Sequence, residues 1–176
     1  MGTRYEYTIT QLTTQTSSIV CSFSPVPAGW VITSSRNTSV CLGARYEYTI
    51  TKITTQTSAV VCSFSPIPDG WIITGSRNTS ICLGALYQYT ITKITTQTSA
   101  VVCSFSPIPA GWVITKSHAT SACLGILYEY TITELTTQTS AVVCSFSPIP
   151  DGWVITGSHA TSICLGAVYE YIITKV

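Results

Sequence analysis

Charge is what this sequence has least of. Asp, Glu, Lys and Arg make up 9% of its 176 residues, against about 25% in ordinary soluble domains. The formal net charge is +1, so the chain has no electrostatic footprint for nucleic acid. Long apolar runs are missing as well. Ser, Thr and Pro interrupt every apolar stretch well short of the roughly 18 residues of a spanning helix, so no membrane span of that kind is expected. No window carries a helical period, which leaves strands to build the fold. A charged start followed by an apolar core is also absent, so an exported form is expected to have lost its leader.

What the sequence does have excludes disorder. Ten Tyr, four Phe and four Trp exceed what a disordered composition carries. A mean hydropathy of +0.38 with so little charge suits a secreted, cell-surface or self-associating protein.

The chain is periodic. Tyr5, Tyr46, Tyr87, Tyr128 and Tyr169 each open a Tyr-Xaa-Tyr and recur every 41 residues. The repeats run over 5–45, 46–86, 87–127 and 128–168, with a partial fifth over 169–176. Such a period marks a repeat architecture before any residue is considered singly. No linker separates the copies, so one continuous array is expected.

The second repeat shows the strand pattern. Residues 81–92 alternate, with Ile81, Leu83, Ala85, Tyr87, Tyr89 and Ile91 on one side. That period of two predicts one long strand crossing the repeat boundary. Residues 59–65 predict a second strand and 71–74 a third. Pro66 and Pro68 with Gly70, and the 75–80 segment, read as turns. The fold class is all-β: an open, elongated tandem-repeat array, solenoid-like or a meander. A closed four-fold propeller or barrel is the alternative. The open form is favoured because the Tyr-Xaa-Tyr strand occurs five times and the others four. In a ring, the first and last copies would compete for one place.

Two cysteines stand in each copy: Cys21 and Cys41, Cys62 and Cys82, Cys103 and Cys123, Cys144 and Cys164. An even count at fixed spacing predicts disulfides in an oxidising compartment. Pairing within each repeat is favoured, with pairing between neighbours or reduced core thiols as alternatives. Without a short Cys-Xaa-Xaa-Cys, and without a His in every copy, no metal or other cofactor is expected.

No constellation for catalysis is visible, so the chain reads as a non-enzyme. His118 and His159 stand where earlier copies have Arg36 and Arg77 and are expected as exposed turn residues. Glu6, Glu47, Glu129 and Glu170, with Gln88 in the same place, are expected on a solvated strand face. Asn37 and Asn78 each open an Asn-Thr-Ser acceptor pattern for N-glycosylation.

These features predict a non-catalytic, extracellular or cell-surface structural repeat: a fibre, stalk or adhesin segment that self-assembles through its β edges. The assembly edges would be the terminal strands, at Tyr5 and Tyr7 and at Tyr169, Tyr171 and Ile173. The partner would be the protein itself. The alternative is a lectin-like module binding surface glycans through one site per repeat, formed by Trp30, Trp71, Trp112 and Trp153 with Asp69 and Asp151. Ice binding by arrayed Thr-Ile-Thr faces is a further, weaker expectation.

Overall fold

A computed structural model describes residues 8–126 and 128–176. Its strands fall into four sets of three. The first set is β1 (Ser17–Cys21), β2 (Trp30–Asn37) and β3 (Tyr46–Lys52). The second is β4 (Ser58–Cys62), β5 (Trp71–Asn78) and β6 (Tyr87–Lys93). The third is β7 (Ser99–Cys103), β8 (Trp112–Ala119) and β9 (Tyr128–Glu134). The fourth is β10 (Ser140–Cys144), β11 (Trp153–Ala160) and β12 (Tyr169–Lys175).

Each set is a separate antiparallel sheet in which the last strand lies in the middle, as in β4-β6-β5. This is not a meander. The Tyr-Xaa-Tyr strand is therefore the centre of the unit that precedes it, rather than the start of the next. Its residues suit that place, because Ile91 pairs with Ala59 on one side and Ile73 on the other. Ile50, Ile91, Ile132 and Ile173 are all fully buried.

Turn chemistry explains how the two edge strands reach opposite sides. A turn closed by Ser65 N–H on the Cys62 carbonyl (2.8 Å) ends β4, so that strand stops short of the expected residue 65. The two prolines carry the chain across. A second turn, closed by Trp71 N–H on the Pro68 carbonyl (3.1 Å), then launches β5. Its third residue, Gly70, has φ +76°, which a side-chain-bearing residue adopts only with strain.

β5 is longer than expected, because 75–78 continue it instead of turning. A bulge between Ile73 and Gly75 absorbs one residue, and the Thr74 hydroxyl meets Thr92 Oγ1 at 3.0 Å across it. The long strand expected over 81–92 is broken. Gly84 lies at φ +90°, and Ala85 N–H closes a turn on the Cys82 carbonyl at 3.0 Å. Alternation of apolar residues thus continued through a loop where the backbone did not.

The array is open. Strands of different units meet only as β2 with β4, β5 with β7 and β8 with β10, among the described residues. Among the described residues, no sheet closes into a barrel. Four of the five Tyr-Xaa-Tyr segments are strands among the described residues. Tyr5 and Tyr7 lie outside the described residues, and residues 8–10 belong to no strand.

The core lies between units as much as within them. One buried cluster joins Trp30, Ile32 and Ile50 of the first unit to Cys62 and Cys82 of the second. Another joins Ile72 of the second unit, Trp112, Ile114 and Ile132 of the third, and Cys144 and Cys164 of the fourth. Stacking therefore extends each small sheet's apolar face into a core shared with its neighbours.

Candidate functional site

The cysteines pair within each repeat, as favoured from the sequence. Cys21–Cys41, Cys62–Cys82, Cys103–Cys123 and Cys144–Cys164 each close a separation of 20 residues. Their Cα atoms lie 5.6 to 5.7 Å apart, within the ordinary range for the bond. All eight cysteines are used, so no thiol remains as a nucleophile or ligand.

The tryptophans do not form the exposed platform expected of a glycan site. Trp30, Trp71 and Trp112 are at most 5% exposed. Each packs in a cluster with the disulfide of the following unit. The indole opens β2, β5 or β8, where it must be roofed by the next unit, and that is why it is apolar. Trp153 in the last unit is half-buried. Asp69 and Asp151 are exposed and line shallow grooves of about 460 and 450 Å³ between neighbouring Pro-rich turns, beside Lys93 and Lys175.

The carboxylates on the central strands are not solvated as expected. Glu47, Gln88 and Glu170 are buried, and Glu129 is half-buried. Register sets each opposite a basic residue: Arg36 and Glu47, Arg77 and Gln88, His118 and Glu129, His159 and Glu170. Arg36 makes an ion pair with Glu47, whose other oxygen accepts from the Thr38 hydroxyl at 2.9 Å. Those two hydrogen bonds, the guanidinium first, hold the Glu47 carboxyl below the ordinary carboxylate range. Arg77 Nε donates to Gln88 Oε1 at 3.3 Å.

The histidines are strand residues with partners rather than free turn residues. His118 Nε2 lies 3.1 Å from Glu129 Oε2, and His159 Nδ1 lies 3.9 Å from Glu170 Oε2. Cys123 Sγ approaches Glu129 Oε1 at 3.7 Å. A disulfide sulfur has no proton to donate, so that contact is packing. The loop holding the second cysteine thus covers the face expected to meet solvent. The signal available in the sequence was the constant spacing of 11 residues between each basic residue and its partner.

Asn37 and Asn78 are exposed at the ends of β2 and β5. Ala119 and Ala160 take their place in the other copies.

The junction between units is the most developed polar site. Ile73 N–H at the bulge donates to Ser106 Oγ of the next unit at 2.8 Å, in a buried position. Ser76 N–H donates to the Ala122 carbonyl at 3.1 Å, and its hydroxyl to the Leu124 carbonyl at 3.2 Å. The Tyr89 and Phe105 rings meet at 4.8 Å, and burial pushes the Tyr89 phenol up. The other two junctions repeat the set, with Ser65 and Ser147 in the place of Ser106. These contacts satisfy two outer N–H groups on each of β2, β5 and β8, along what would otherwise be open edges.

The assembly edge expected at Tyr169, Tyr171 and Ile173 is not an edge in this topology, while the one expected at Tyr5 and Tyr7 lies outside the described residues. β12 is hydrogen-bonded to β10 on one side and β11 on the other, so it has no free edge. Tyr171 is half-buried and Ile173 fully buried, although Tyr169 is 53% exposed. No known protein family, curated protein or solved structure matches the chain.

Proposed function

We propose that this chain is a non-catalytic structural segment of an extracellular fibre, stalk or adhesin. The observation that carries this reading is that the disulfides of the second, third and fourth units are also the roofs of the preceding units' cores, as Cys103 and Cys123 are for Trp71. The covalent staple and the stacking contact are one feature, which suits a tension-bearing spacer. Four disulfides fit an oxidising compartment outside the cell. Glycan binding is the weaker reading, because three of its four aromatic platforms are buried.

Single-molecule stretching tests the proposal. With a 20-residue separation locked in each 41-residue repeat, an unfolding step should release at most about 75 Å, against about 150 Å after reduction, at roughly 3.6 Å per residue. Featureless extension, with no resolved unfolding steps in the oxidised protein, would contradict a tension-bearing role.

A further inference from the structure

The turns that follow β2 and β5 carry a motif that neither the core nor the junctions employ. Asn37 is the last residue of β2 and Asn78 the last of β5. Each opens Asn-Thr-Ser, the acceptor pattern for N-linked glycans. The junction bonds of these strands lie earlier, ending with Ser35 N–H on the Ile81 carbonyl (2.9 Å) and Ser76 N–H on the Ala122 carbonyl (3.1 Å). Beyond them Asn37, Ser39, Asn78 and Ser80 are all exposed, and residues 38–39 and 79–80 belong to no strand.

The middle residue of the motif builds the turn, and the turn does not need the asparagine. Thr38 Oγ1 accepts from Val40 N–H at 3.1 Å and from Cys41 N–H at 3.2 Å, and Thr79 Oγ1 accepts from Ile81 N–H at 3.2 Å. Thr120 and Thr161 accept in the same way from Ala122 and Ile163 N–H, at 3.0 and 3.2 Å. Those two copies have Ala119 and Ala160 in the preceding position. The same turn therefore forms after Asn or Ala, and the exposed amides of Asn37 and Asn78 are surplus to it.

Resting on the extracellular reading above, we propose that Asn37 and Asn78 are N-glycosylation sites. The donor is a polyprenyl-pyrophosphate-linked oligosaccharide. The Asn Nδ2 bonds to the anomeric carbon of its first sugar as the bond from that carbon to the pyrophosphate oxygen breaks. The amide gives up one proton, and the lipid pyrophosphate leaves. The compartment that performs this transfer also forms disulfides, and this chain has four. Each sugar stands past the last junction bond of its own strand, so it adds bulk beside the stack rather than within it. In a chain with only 9% charged residues, it supplies solvation that charge supplies elsewhere.

The test is intact mass spectrometry of the whole chain made in the secretory pathway of a eukaryotic cell, before and after peptide N-glycosidase. The wild type should carry two glycans, both lost on digestion, with Asp left where each Asn stood. Asn37→Gln and Asn78→Gln should each remove one glycan, and the double variant both. Ser39→Ala should remove the Asn37 glycan while leaving that asparagine in place. Ala119→Asn completes Asn-Thr-Ser in the third unit and should add a glycan there, because the turn is the same. A secreted wild type with its disulfides formed and no sugar would overturn the sites while leaving the structural reading intact, as would a sugar mass that both Gln variants leave unchanged. A secreted chain with free thiols would overturn the extracellular reading and the sites with it.

Discussion

Replacing Ser106 by Ala isolates one junction contact with a built-in control. The Ser106 hydroxyl donates its proton to the Pro107 carbonyl at 3.1 Å, which turns a lone pair toward Ile73 N–H, 2.8 Å away across the junction. Removing the oxygen leaves a buried backbone N–H without a partner. The bulge holds that N–H outside the sheet ladder, so no neighbouring strand can take it instead. The cost of such an orphan is about 1–3 kcal/mol, which corresponds to a melting shift of about 2–4 °C per kcal/mol for a chain of this size. Ser65→Ala and Ser147→Ala should behave alike, because Ile32 and Ile114 make the same bond at 2.8 Å. Ser24→Ala should cost under about 0.5 kcal/mol, as for an ordinary surface change, because among the described residues no N–H reaches its hydroxyl. Urea unfolding of the four variants under oxidising conditions measures the set. Equal effects at all four positions, or no effect at Ser106, would refute the idea that these hydroxyls bind unit to unit.

Removing both Cys103 and Cys123 as serines should cost about 3 kcal/mol from loop closure alone. The loss should be larger than for the Cys21 and Cys41 pair, which roofs no described unit; comparison by denaturation checks this. Gly125→Ala should destabilise by about 1–3 kcal/mol, because Gly125 has φ +84° and its added Cβ would meet the Tyr87 ring at 3.2 Å; thermal melting measures it. The Glu47 pKa is lower in the folded protein, so its contribution to stability is full above the ordinary carboxylate range. It is lost as pH falls through the lowered value, and Arg36→Ala should return the Glu47 carboxyl signal in NMR titration toward ordinary values.

The all-β class, the repeat length and the within-repeat disulfides were legible because they depend on period and spacing alone. Strand order was not. Residues 81–92 alternate perfectly, yet Gly84 at φ +90° breaks the strand, and an alternating pattern cannot report that a backbone has turned. The placing of Tyr-Xaa-Tyr in the middle of the preceding sheet depends on the Pro-rich crossover, a non-local choice. That one misplacement turned Ile173 from a core residue into an expected edge. It also hid the pairing of exposed Arg36 with buried Glu47, whose members both look like surface charges until the register sets them opposite each other. Trp30, Trp71 and Trp112 were ambiguous for a related reason: whether an indole is platform or core depends on what the next unit lays over it.

Stability against the number of units bears most directly on the claim that each unit's core is finished by the next. Chains ending after Lys93, after Glu134 and after Val176 hold two, three and four sheets, and their urea midpoints can be compared under oxidising conditions. If stacking completes the cores, the midpoint should rise with each added sheet, since every addition adds one junction. Midpoints independent of length would mean that the units fold alone, which would contradict the account.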